Sequence, residues 1–335
     1  MYGEILILYV IFPIVILWGV KMRGRSEIKT PLLSLKESNI FKGIAAWMVI
    51  FTHYTTYLSR EGVNLGIVSP FMRLGSLGVG IFFFLSGYGL SVTSRKKEKL
   101  GLSFLKKRFI NVYVPYVIMQ VIAYVLLGKS YTGIELVLYV LGIIEPKWFV
   151  IIILLMYLCF WGIDYIGLNR YRERISFIFS IALSVILYIL GFEEYWYATN
   201  ILFVVGLLVG KYEKKVADFI NLHYGICVMF SIISFGTSIG VYSFGTTDLA
   251  VLGKTAASIF LVFICVEIVI KLKLNSAIMQ WCGKMSLYLY LVHSTIYVFL
   301  FRNWNLFLPL KTIVFFLVVI LCSYVFYKCM NRTKK

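Results

Sequence analysis

The chain has 335 residues, of which 61% are hydrophobic and 14% charged, and its formal net charge is +18. Soluble domains carry about 25% charged residues, so this composition, with a mean hydropathy of +0.89, excludes an ordinary soluble fold. The positive charges fall in short blocks between apolar runs rather than in one patch, which argues against a nucleic-acid surface and for the loops of a membrane protein.

The first apolar run, residues 4–20, is followed by Lys21, Arg23 and Arg25 and has no basic residue before it. A secretory signal carries its positive charge in front, so a retained span is expected, with the N-terminus outside. Lys36 and Lys42 lead into the second span, whose run 41–57 reads FKGIAAWMVIFTHYTTY. Lys42 and His53 lie eleven positions apart in it, almost three helical turns, so they share a face about 16 Å apart. Run 74–92 carries GVGIFFFLSGYGL, whose glycines and serines let helices approach closely. Segment 94–108, SRKKEKLGLSFLKKR, is the most basic loop and is expected in the cytoplasm. Run 109–127 returns outward.

Residues 131–144 are interrupted by Glu135 and stopped by Glu145-Pro146, and after them come runs 148–166, 175–190, 201–210, 222–244, 249–270, 285–301 and 308–327. If 131–144 does not cross, all Lys and Arg except Arg60, Arg73, Lys129, Lys147, Lys254, Arg302 and Lys311 lie on one side. If it crosses, every later basic block flips outward, against the positive-inside rule. The expected fold is therefore an all-α polytopic membrane protein of about 11 transmembrane helices. In it 131–144 is re-entrant or interfacial, and the C-terminus is cytoplasmic.

His53 lies eleven positions into its span and His293 nine beyond Lys284, which places both at middle depth. Neutral imidazole accepts and returns a proton near pH 7, and an ionisable side chain at that depth must face protein or a wet cavity. The plainer role is a hydrogen bond between helices. His223 opens a span at the surface and reads as an interfacial bystander. Ser86 and Gly87 are placed either to pack helices or to border a cavity. Trp148 stands just inside a boundary, where an aromatic anchor is the ordinary role. The six cysteines form no CxxC pair and the three histidines do not cluster, so neither a disulfide framework nor a metal site is expected.

Four segments in order resemble the signatures of the acyltransferase-3 family of bacterial integral-membrane O-acyltransferases. They are FKGIAAWMVIFTH, GVGIFFFLSGYGL, KKRFINVYVPY and KMSLYLYLVH. The resemblance implies a ten-helix acyltransferase domain over residues 36–335, preceded by an extra helix and cytoplasmic loop in 1–35. It implies transfer of an acetyl or other acyl group from acyl-CoA, a co-substrate rather than a resident cofactor, to a hydroxyl of a cell-surface carbohydrate or lipid-linked sugar. The protein would then sit in a bacterial cytoplasmic membrane, with glycan-assembly proteins as possible partners.

On that basis His53 is the expected general base, and Lys42 holds or steers the donor. Lys42, Arg95, Lys96, Lys106, Lys107 and Arg108 suit the phosphates of acyl-CoA, while Ser86, Trp148, Tyr290 and His293 shape the cavity. The sequence departs from the family pattern at Lys42, which replaces the usual arginine and lacks its planar fork. It departs again at Asn111, where a second arginine is often found. Two other readings stay open: a proton-coupled transporter, and a non-catalytic partner in glycan export.

Overall fold

The computed structural model describes residues 6–24, 31–95, 100–304 and 307–332. Lys96, Arg25 and the tail lysines Lys334 and Lys335 lie outside them. Helix α1 (Phe12–Leu17) follows a π-helical turn, Leu6–Ile11. Behind it, strand β1 (Lys21–Met22) pairs antiparallel with β2 (Leu272–Lys273). Helix α2 (Leu35–Arg60) begins at a capping box. The Ser34 hydroxyl accepts from the Glu37 N–H at 3.2 Å, and the Glu37 carboxylate accepts from the Ser34 N–H at 3.1 Å. Arg23 pairs with the buried Glu37 at 2.5 Å and so ties the β-strap to the start of α2.

Helix α3 (Leu74–Ser94) packs on α2 and, at its other side, on the later short helix Ile201–Lys211. Helices α4 (Leu102–Arg108) and α5 (Val114–Leu126) are joined by a π-helical turn, Phe109–Tyr113. The half of the basic segment expected as loop is thus the first two turns of a helix running to Leu126. Pro115 explains the π turn. Its ring clashes with the carbonyl four residues back and its missing N–H cannot close the ladder, and a π turn accommodates both. Asp164 anchors the approach to α4, accepting from the Leu100 N–H at 2.5 Å and from Arg172 at 2.7 Å.

Helix α6 (Gly133–Val140) has eight residues. At 1.5 Å per residue it is about 12 Å long, too short for a hydrocarbon core of about 30 Å. It lies against α5, with Gln120 donating to the Tyr139 carbonyl and Tyr124 to the Tyr131 carbonyl. Gly142 ends it at φ +76°, where an added methyl would collide with the Tyr116 hydroxyl. Then follow α7 (Trp148–Tyr165), α8 (Arg172–Ile189), α9 (Ile201–Lys211), α10 (Glu213–Leu222), α11 (Tyr224–Phe244) and α12 (Thr247–Lys271). Last come α13 (Ala277–Lys284), α14 (Ser286–Asn303) and α15 (Leu308–Arg332). The chain bends by 77° between α13 and α14.

Among the described residues, each of the eleven runs expected to cross holds a helix, the first over Leu6–Leu17. Among the described residues, however, six helices are long and apolar enough to span a membrane, or seven with the bent α13–α14 pair. Leu6–Leu17 reaches about 18 Å and the eleven residues of α9 about 16 Å. Helix α2 is long, but Lys36, Glu37, Lys42 and His53 keep it from being uniformly apolar. Apolar runs locate helices; they do not say how much of the bilayer each one crosses.

Glycines bring the central backbones together. A methyl at Gly43 would strike the Met279 carbonyl of α13, and one at Gly283 the Asn39 carbonyl of α2. Gly87 of α3 meets the Phe203 carbonyl of α9 in the same way, and Gly206 of α9 meets the Phe84 carbonyl. Replacing Gly206 with Ala forces α3 and α9 apart, and overpacking of this kind costs about 1–3 kcal/mol. Gly236, on α11, has nothing within 4 Å of an added methyl. Gly206→Ala is expected to lower the thermal unfolding temperature in detergent clearly, and Gly236→Ala to leave it unchanged or slightly raised.

Candidate active site

Helices α2 and α14 run side by side, and their mid-helix histidines meet. The His53 and His293 ring centroids are 5.0 Å apart, with planes inclined by 36°. His293 is 2% exposed. Its Nδ1 lies 3.1 Å from the Leu289 carbonyl. A carbonyl oxygen only accepts, so Nδ1 carries the proton and Nε2 keeps its lone pair. That Nε2 is buried, with no hydrogen-bond partner among the described residues. On one side of the pair, Tyr290 stands 6.1 Å from His293, ring to ring. On the other, Tyr57 stacks on Tyr297 at 4.2 Å.

Two cavities approach this pair from opposite ends of α2 and α14. The first, about 470 Å³, is lined by Asn39, Lys42, Ser86, Arg108, Asn111, Tyr157, Lys284 and Tyr290, among others. Among the described residues its lining holds three cations and no carboxylate, so it suits an anion. The Arg108 guanidinium lies 4.9 Å above the Tyr157 ring and 5.3 Å above that of Phe104, a cation–π clamp. Tyr157 donates to Ser86 at 3.2 Å. Asn111 reaches the lining from the π turn before α5.

The second cavity, about 650 Å³, is lined by Tyr57, Gln120, Lys129, Tyr131, Tyr139, Glu145, Lys147, Ser294, Thr295 and Arg302, among others. At its rim Glu145 takes φ +48°, a left-handed conformation that a non-glycine residue holds only when its surroundings demand it. Lys129 at 2.7 Å and Tyr131 at 3.0 Å hold its carboxylate. Lys147, just ahead of α7, donates to Ser294 at 2.5 Å. Burial, opposed by Glu145 and reinforced by Lys129, lowers the Lys147 ammonium from the usual lysine range to about 8.

The septum between the cavities is thin. Tyr290 lines the first and Ser294 the second. They lie four residues apart on α14, about 6 Å, with His293 between them.

Of the residues singled out from sequence, Lys42, Ser86, Arg108 and Tyr290 line the first cavity, and His53 meets His293. The structure does not bring the others there. Trp148 packs against Tyr195 at 5.7 Å and Trp196 at 6.5 Å. Its successor Phe149 takes the lining position, against Phe83 at 5.1 Å and Tyr290 at 5.4 Å. Arg95 is paired with Glu213 at 3.4 Å, and Lys106 and Lys107 are exposed on α4 outside the lining. Gly87 serves the α3–α9 packing rather than a cavity. His223 is exposed at the α10–α11 junction, 5.1 Å from the Phe219 ring.

Sequence reasoning passed over Lys284, Tyr157, Phe149 and Lys147. Lys284 stands inside KMSLYLYLVH, where it reads as the boundary of a span. Lys147 reads as one of the few basic residues on the minority side. That a lone lysine directly precedes an apolar run was the available signal.

The sequence model of one protein family, described as an acyltransferase domain, matches residues 35–328. No curated protein and no solved structure matches the chain.

Asn331 lines the first cavity and Arg302 the second. With the six native cysteines replaced, Arg302→Cys and Asn331→Cys are expected to react with a membrane-impermeant maleimide from opposite sides of sealed vesicles. Labelling of both from one side would show that the cavities do not open at opposite faces.

Proposed function

The chain belongs to the acyltransferase-3 family, and on that footing we propose that it is an O-acetyltransferase of a bacterial cytoplasmic membrane. The donor is acetyl-CoA, drawn into the cavity of Lys42, Arg108 and Lys284. The acceptor is a hydroxyl of a cell-surface carbohydrate or lipid-linked sugar, received in the cavity of Tyr57 and Lys147. In this reading residues 36–335 form the acyltransferase unit, 1–35 add a helix with its N-terminus outside, and the C-terminus is cytoplasmic. The observation that carries the proposal is the paired histidines standing between two cavities, one of them lined, among the described residues, by cations as its charged groups.

The chemistry balances with the groups present. The CoA phosphates meet the three cations, which act as charge-assisted donors. Lys42 lies about 16 Å from the depth of His53 along α2, comparable with the reach of an extended pantetheine arm. The thioester carbonyl then arrives beside the histidines. His53 takes the proton from the acceptor hydroxyl as general base. The oxygen attacks the thioester carbon, the C–S bond breaks as the tetrahedral intermediate collapses, and the imidazolium returns its proton to the CoA thiolate. The products are an ester and CoA–SH. His293, its Nδ1–H held by Leu289, presents Nε2 as a second acceptor beside His53. Lys147 places a positive charge on Ser294 at the acceptor end, where it opposes negative charge growing on oxygen.

Membranes carrying the protein, given acetyl-CoA labelled on the acetyl group and native envelope material, test the proposal. Alkali-labile label is expected with the wild type and should fall by roughly 10²–10⁴ in His53→Ala, the range typical for loss of a general base. Equal labelling in both would remove His53 from the mechanism. No labelling by a folded protein, with proton-coupled uptake in its place, would replace the enzyme by a transporter.

Lys147 adds a pH dependence. Below its value of about 8 the ammonium is charged, and above it the charge is lost. Transfer, corrected for spontaneous thioester hydrolysis, should decline as the pH rises past 8. In Lys147→Arg, which stays charged, that alkaline limb should disappear.

A further inference from the structure

Away from the histidine pair, α10, α11 and α12 enclose a third cavity of about 360 Å³. Four phenylalanines, Phe219, Phe230, Phe260 and Phe263, supply most of its apolar lining. Among the described residues its charged lining residues are Lys215 and Glu267. Glu267 is 3% exposed. One of its carboxyl oxygens, Oε1, accepts from the buried Ser231 hydroxyl at 2.7 Å. The other, Oε2, is buried with no hydrogen-bond partner among the described residues. A buried carboxylate oxygen without a donor is costly, and such groups in folded proteins call for an explanation.

The neighbouring cation does not satisfy it. Lys271, one turn along α12, donates to Asn221 at 2.7 Å and lies 5.1 Å above the Tyr224 ring. Lys215 is exposed at the cavity on α10, which is amphipathic and lies at the end of the bundle where α12 finishes. Glu267 lies four residues from Lys271 at that end, about 6 Å, which is the depth of a lipid headgroup boundary. The outward face of α11 is apolar, with Ile226, Met229 and Phe230 each more than 60% exposed. A visitor to the cavity therefore comes from the bilayer.

We propose that this cavity binds an aminophospholipid, its primary ammonium donating to Glu267 Oε2, its phosphate paired with Lys215 and an acyl chain lying on the phenylalanines. The hydrogen-bond deficit and the two charges together select the headgroup. Oε2 needs a hydrogen-bond donor, which a primary ammonium supplies and a quaternary choline does not. A glycerol headgroup brings no cation to neutralise the carboxylate, whereas a zwitterion places opposite charges against both Lys215 and Glu267. Nothing in this argument depends on the acyl-transfer reaction.

The test is lipid retention by the purified full-length protein, followed by native mass spectrometry. Phosphatidylethanolamine, its mono- and dimethylated forms, phosphatidylcholine and phosphatidylglycerol would be compared, all with the same acyl chains. The wild type is expected to retain phosphatidylethanolamine about tenfold over phosphatidylcholine and phosphatidylglycerol, roughly 1.4 kcal/mol, with retention falling as N–H groups are methylated away. Glu267→Gln should level phosphatidylethanolamine with phosphatidylcholine, and Lys215→Ala should weaken both. Equal retention of the whole series by the wild type would overturn the proposal without any variant. So would an ethanolamine preference that survives in Glu267→Gln.

Discussion

The arrangement depends on how closely two pairs of backbones approach. Helices α2 and α13 touch at Gly43 and Gly283, and α3 and α9 touch at Gly87 and Gly206, with no room at any of the four for a methyl group. Within a bilayer the lipid tails are as apolar as the side chains, so helices gain little by hiding hydrophobic surface and associate through close packing. Gly78 of α3 likewise meets the Ala45 carbonyl of α2, so α2 is fixed between α13 and α3. Because α13 bends by 77° into α14, the same contact also fixes where α14 starts and how it passes α2. The meeting of His53 with His293 follows from the glycine contacts rather than from any attraction between the rings.

Polar groups inside such a bundle are held by nearby partners, since leaving them unpaired is expensive. Arg172 binds Asp164, Lys254 binds Glu194, and the Tyr88 hydroxyl binds Glu213 at 3.0 Å. Against that background two unpaired atoms stand out: Nε2 of His293, between two cavities, and Oε2 of Glu267, beside a third. Other buried polar atoms without partners exist, such as the hydroxyls of Ser176 and Ser323. A neutral hydroxyl costs less to leave unpaired than a carboxylate.

Much of this was readable from the sequence, and the limits have physical causes. Long apolar runs mark helices reliably, and each of the eleven expected runs holds a helix among the described residues. A run's length does not by itself say that it crosses: run 201–210 forms the eleven-residue α9, about 16 Å long and short of the hydrocarbon core. Placing Lys42 and Arg108 at one cavity followed from charge and motif, because both are tied to segments with strong spacing. Choosing Trp148 over Phe149 missed by one residue, which on a helix is 100° of rotation. Composition cannot resolve that where both faces are aromatic. Lys106 and Lys107 lie outside the lining for the same reason: three consecutive cations point in three directions, and of the three Arg108 reaches it. Lys147 escaped because its role depends on Ser294, far away in the chain.

The thinness of the septum bears on which chemistry this scaffold favours. A transporter must open a path wide enough for its whole cargo, which would mean displacing the stacked Tyr57, Tyr297 and Phe301 rings, 4.2 and 4.1 Å apart. Group transfer asks far less. Only the reacting atoms have to meet, at about 3–3.5 Å, while the bulk of each substrate stays in its own cavity. A wall one helical turn thick, with a proton acceptor set in it, satisfies that requirement without moving the aromatic stack. In the proposed reaction the cation-lined cavity would keep a charged donor on its own side, and the separate second cavity would leave the acceptor free to vary in size. The same geometry that makes passage difficult therefore makes transfer across the wall easy, and it weighs toward group transfer between two cavities that stay separate.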